Sequence, residues 1–165
     1  MQTATLGLLL GWCCCGCGKS ALESSAPVPP DCQQFLVKYF EAIKAKDVGT
    51  IQNLSSCITR EATKGMPETS MKMLHESQRK ITAEGFERMA RELGDFRNYS
   101  VLSVNVTTQK ADTVAANMMG AGIHATIVCR TKFAKQSSVR LGLHLFKETP
   151  EAEYSILAWK YETGL

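Results

Sequence analysis

The sequence predicts an α+β domain in which N-terminal helices pack on a mainly antiparallel, four-stranded sheet. Three observations carry that reading. Two apolar stripes with helical spacing, Leu36, Tyr39, Phe40, Ile43 and Phe86, Met89, Ala90, Leu93, both fall before Gly94. After Gly94 the spacing changes to near-strict alternation, the mark of strands with one buried face. The two best alternating runs are joined by Lys135-Gln136-Ser137-Ser138, a connector too short for the crossover that parallel strands need.

The elements follow in order. Asp31 is read as the N-cap of the first helix, with Gln34 completing a capping box. Asp47 is read as the cap of a short second helix that turns Val48, Ile51 and Leu54 inward. Residues 58–68 contain Gly65 and Pro67 and read as a loop. Met71 and Leu74 suggest a separate helical stretch before the stripe that starts near Thr82 and stops at Gly94, a C-terminal glycine. Tyr99 to Thr107 is the expected first strand and Tyr154 to Tyr161 the last. Between them lies a hairpin. Ile123, Ala125, Ile127, Cys129, Thr131 and Phe133 alternate with His124, Thr126, Val128, Arg130 and Lys132. Val139, Leu141, Leu143 and Leu145 then alternate with Arg140, Gly142, His144 and Phe146. Met118 to Gly122 reads as a flexible turn or bulge.

The chain has 165 residues, 44% of them hydrophobic and 21% charged, which suits one globular domain with a short processing segment. A net charge of +3, scattered along the chain, does not point to nucleic acid. The expected organisation is a signal or lipidation segment at 1–17, a tether at 18–30 and a single domain at 31–165. The tether holds Pro27, Pro29 and Pro30 among Ser and Ala, a composition that stays extended. The apolar run Ala4 to Trp12 is too short to span a bilayer and suits a signal peptide.

Gly16-Cys17-Gly18-Lys19-Ser20 resembles the cleavage and lipidation site of bacterial lipoproteins, with Cys17 as the acylated residue. Two features depart from that pattern: Cys14 stands where Leu is usual, and no basic residue precedes the apolar run. The alternative is an uncleaved, cysteine-rich tail open to palmitoylation. A phosphate-binding loop ending in Gly18-Lys19-Ser20 is rejected, because Cys13 occupies the position of its first glycine.

Seven cysteines are present, four of them near the N-terminus. Cys32 and Cys57 stand at the outer ends of the helical pair and are candidates for a disulfide in an oxidising compartment, the alternative being two independent thiols. No spacing suits a metal site, and no cofactor is implied.

The order of elements resembles the nuclear-transport-factor-2-like, or cystatin-like, superfamily, and within it a branch of uncharacterised bacterial secreted proteins. Phe86-x-x-Met89, Leu93-Gly94-Asp95-Phe96, Thr131-Lys132-Phe133 and Tyr154-Ser155-Ile156-Leu157 carry the resemblance across most of residues 32–163. It implies helices plugging a curved, cone-like sheet, with no fixed chemistry. Enzymes of that fold, isomerases and dehydratases, place acidic, Tyr or His groups inside the cone.

Candidate catalytic groups are scarce. His124 and His144 fall on the wetter face of the hairpin and read as surface histidines, and Asp95 reads as a turn residue. No nucleophile elbow is present. Arg130, Lys132 and Arg140 share the hairpin's wetter face. They are either a solvated surface or a contact for an anionic headgroup or an acidic partner. The leading expectation is therefore a lipoprotein of the cell envelope, anchored through Cys17 and facing the periplasm or exterior, that acts as a binding or interaction module for a small ligand or protein. A small-molecule enzyme using the cone pocket and a structural, self-associating domain, such as a homodimer, are the alternatives. A pocket of converging polar groups would favour the enzyme; a filled apolar interior would favour a scaffold.

Overall fold

A computed structural model describes residues 27–55, 65–110 and 120–163. Helices α1 (Pro30–Ala45), α2 (Val48–Leu54) and α3 (Glu68–Leu93) precede strands β1 (Phe96–Gln109), β2 (Gly122–Phe133), β3 (Val139–Lys147) and β4 (Ser155–Thr163). The strands form one antiparallel sheet in the order β1-β2-β3-β4, with the three helices packed against it. The expected α+β class is what the chain adopts.

Local chemistry explains most boundaries. α1 starts two residues earlier than expected, because Pro30 at its first position has a preset φ and no N–H to leave unbonded. Asp31 is thus not the N-cap. It sits in the first turn, where its Oδ1 accepts from the Cys32 N–H at 2.9 Å. Asp47 does cap α2, accepting from the Thr50 N–H at 3.0 Å. The separate helices expected around Leu74 and Thr82 are one continuous helix of 26 residues. Between Glu68 and Ile81 no Gly or Pro interrupts it, yet that half stays largely exposed, with Met73 at 70%. Exposure there blurred the apolar stripe without breaking the helix. Gly94 ends α3 at φ 79°, a conformation that side chains other than glycine's rarely accept.

The helices and the sheet's inner face share one core. Leu36, Phe40, Met89 and Leu93 meet Ile127, Cys129, Leu141, Leu143 and Leu145, each at most 2% exposed. Every fully buried Leu of this kind contributes about 1.5–3 kcal/mol. The Phe40 ring stacks on Tyr99 at 3.9 Å and on Phe96 at 5.2 Å, joining α1 to β1. Pairing irregularities lie between Val101 and Ser103 and between His144 and Leu145, and bulges of this kind bend and twist a sheet. The space a cone pocket would occupy between helices and sheet is therefore lined with packed side chains.

Candidate functional site

The helices leave the other face of the sheet to the even-numbered residues of β2 and β3. Register sets its layout. Arg130 pairs with Arg140 across β2 and β3, and Lys132 lies two residues along β2, opposite Asn98 of β1. All three charges are exposed, and the structure brings them together at the hairpin end as the sequence predicts. The directly opposed arginines cost about 0.2–1 kcal/mol through repulsion. Sequence reasoning missed Lys160 of β4, because its strand lay far from the hairpin in sequence. Lys160 pairs with Gly142, and its side chain lies across the space that glycine leaves. Its Nζ donates to Glu162 Oε1 at 3.2 Å, and Glu162 is paired with Arg140. Four cations and one carboxylate thus share this patch.

The same face closes toward the opposite end. His124, expected at the surface, is only 3% exposed, as is Phe146 beside it. The chain returns through Gly120 and Gly122 at positive φ, and the Gly120 carbonyl lies 3.0 Å from His124 Nε2. His124 Nδ1 lies 3.2 Å from His144 Nε2. A carbonyl can only accept, so Nε2 of neutral His124 carries its hydrogen and His144 Nε2 donates to Nδ1. Burial, and then the neighbouring His124, hold the His144 imidazole below its ordinary value of 6.5. The signal overlooked in the sequence was the Gly-Ala-Gly directly before β2, which lets backbone approach the strand closely.

A further buried cation closes the inner side at the same end. Lys147 Nζ donates to Asp31 Oδ2 at 2.8 Å and to the Pro150 carbonyl at 2.9 Å, and it lies 4.8 Å from the centre of the Tyr154 ring. Its hydrogen bond holds the Asp31 carboxyl below the usual range. These contacts pin the start of α1 to the end of β3. Beside them Cys32 is a fully buried thiol, pushed up by burial. Its expected partner Cys57 lies outside the described residues, as do Cys17 and the rest of segment 1–17. Asp95 is a turn residue as expected, exposed and ion-paired with Lys46 at 2.8 Å, which holds its carboxyl low.

A cleft of about 210 Å³ lies outside the core, lined by Lys38, Thr50, Asn53, Glu153 and Tyr154. Its charged pair, Lys38 and Glu153, is exposed, whereas Tyr154 is buried and burial pushes its hydroxyl up. Among the described residues, no group of three or more His, Cys, Asp or Glu gathers, and no helix is long and apolar enough to cross a membrane. Comparison with protein-family models, curated proteins and solved structures found no match.

Proposed function

We propose that this protein is an envelope-anchored interaction module whose hairpin-end basic patch meets an acidic partner. The reading rests on one observation above all. Among the described residues, Arg130, Lys132, Arg140 and Lys160 stand together on the face opposite the helices, and the helix–sheet core is packed with apolar side chains. Among the described residues the helix–sheet core is apolar, so it offers the isomerase- or dehydratase-like alternative little polar lining there. Two copies meeting through this patch would oppose like charges, which disfavours face-to-face self-association.

Geometry also bears on which anion is met. The tether would join the domain at Pro30 and Asp31, beside Lys147, whereas Arg140 lies at the other end of β3. Seven residues of strand separate them, about 23 Å at 3.3 Å per residue. With lipid on Cys17, the patch would stand at the end of β3 remote from the point where the tether joins the domain. The resemblance of the segment around Cys17 to lipoprotein processing sites supports the anchored part of this reading.

The test is binding of the full chain to polyglutamate and to phosphatidylserine vesicles at low and physiological salt. Arg130→Gln, Lys132→Gln and Arg140→Gln together should weaken polyglutamate binding by about tenfold or more, since each charge is worth up to about 1 kcal/mol. No binding by the parent, or equal binding by the triple variant, would overturn the reading. Anchoring is tested separately: Cys17→Ser should move the protein from the membrane to the soluble fraction, and unchanged fractionation would refute a lipid on Cys17.

A further inference from the structure

The histidine pair is not used by the basic patch, and its geometry is unusual for a structural contact. Two imidazoles on neighbouring strands face each other nitrogen to nitrogen at 3.2 Å, with ring centres 5.3 Å apart. The inner one is fixed from behind. His124 Nε2 donates to the Gly120 carbonyl, and Phe146 flanks the ring at 4.9 Å between centres. That arrangement leaves Nδ1 as the lone-pair nitrogen, held in place and turned toward His144. A metal-ligating histidine characteristically has its other N–H donated to a backbone carbonyl, which fixes tautomer and orientation.

We propose that His124 Nδ1 and His144 Nε2 form a two-histidine site for a borderline divalent transition metal, Cu²⁺ or Zn²⁺. With metal–nitrogen bonds of about 2.05 Å, a 3.2 Å separation subtends about 100° at the ion. That angle lies between the cis angle of tetragonal Cu²⁺ and the tetrahedral angle of Zn²⁺. Imidazole nitrogen suits both ions. The ion takes the place of the hydrogen now shared between the rings. His144 then carries its hydrogen on Nδ1 instead of Nε2, so the neutral pair releases no net proton. The residues opposite the pair are Thr107 and Phe146 for His124, and Thr126 and Ala158 for His144. Among these described neighbours none is a strong ligand, so the two imidazole nitrogens carry the site. Access is from the His144 side, which is only partly covered.

The experiment uses the full chain, treated first with N-ethylmaleimide so that reactive thiols neither bind nor reduce the metal. Cu²⁺ is titrated and followed by electron paramagnetic resonance. One equivalent should bind with coupling to two imidazole nitrogens, and Zn²⁺ should displace it. His144→Gln should reduce the coupling to one nitrogen and weaken binding by at least the roughly 10–100-fold that even outer-shell partners are worth. His75→Gln, on the exposed part of α3, should change neither. Wild-type protein without imidazole coupling overturns the proposal, whatever the variants do. So does coupling to two imidazoles that persists at equal affinity in His144→Gln.

Discussion

At the hairpin end of the outer face Arg130, Lys132 and Arg140 stand in solvent, whereas at the other end His124 and Phe146 are almost wholly covered. The same two strands supply both ends, and the same alternation places all five residues on one side. What differs is the backbone beside them. Near the hairpin the neighbouring strand offers Asn98 and Ser100, small polar residues that leave the cations exposed. At the far end the chain approaches through two glycines. A β-carbon on Gly122 would stand 2.5 Å from the Lys147 carbonyl oxygen and 2.8 Å from the Phe146 ring. Alternation thus assigns a residue to a side of the sheet, and the path of the flanking backbone decides whether that side is wet.

Substitutions at the two glycines of this face separate the ends most sharply. Gly122→Ala should destabilise the fold by at least about 2 kcal/mol, because φ of 150° and the backbone oxygen leave the new methyl nowhere to go. Urea unfolding measures it; a loss below half that figure would mean the closed end is loosely packed.

Acid should act next, and at the closed end first. His144 titrates below 6.5 in the folded chain, so the unfolded chain takes up its proton first as pH falls. Stability is therefore fully present above 6.5 and declines as pH drops from there through the depressed folded value. Asp31, held below 3.8 chiefly by its hydrogen bond from Lys147, adds a loss in the same direction at lower pH, beginning near 3.8. Urea midpoints from pH 8 to 5 should fall in the parent and fall less in His144→Gln. Equal slopes would remove His144 from the explanation.

The smallest effect belongs to the open end. A β-carbon on Gly142 would meet Lys160, its side chain at 3.6 Å and its carbonyl oxygen at 4.0 Å, both ordinary contacts. Gly142→Ala should therefore be stabilising by about 0.4–1 kcal/mol, through a less flexible unfolded chain. Thermal unfolding would reveal a loss instead if the Lys160 stem could not shift.

The fold was legible where one residue's neighbours in sequence are also its neighbours in space. Leu36 to Ile43, Phe86 to Leu93 and the hairpin from Ile123 to Phe146 declared themselves by period alone, and the three hairpin cations followed from register. Lys160 did not, since its place beside Gly142 depends on how β4 pairs with β3. Nor did the Lys147–Asp31 contact, which joins residues 116 positions apart, or the burial of His124, which a returning backbone segment causes. The first half of α3 was obscured for a different reason: a helix that projects from the body has no buried stripe to read.

The division of this face into a binding end and a closed end can be tested residue by residue. Backbone ¹H–¹⁵N resonances of the protein would be followed while polyglutamate is added at low salt. The expected result is a set of shifts confined to Arg130, Lys132, Arg140, Lys160 and their strand neighbours, reversed by physiological salt, with His124, His144 and Phe146 unmoved. Shifts centred on the histidine end, or spread evenly over exposed lysines of α3, would contradict it.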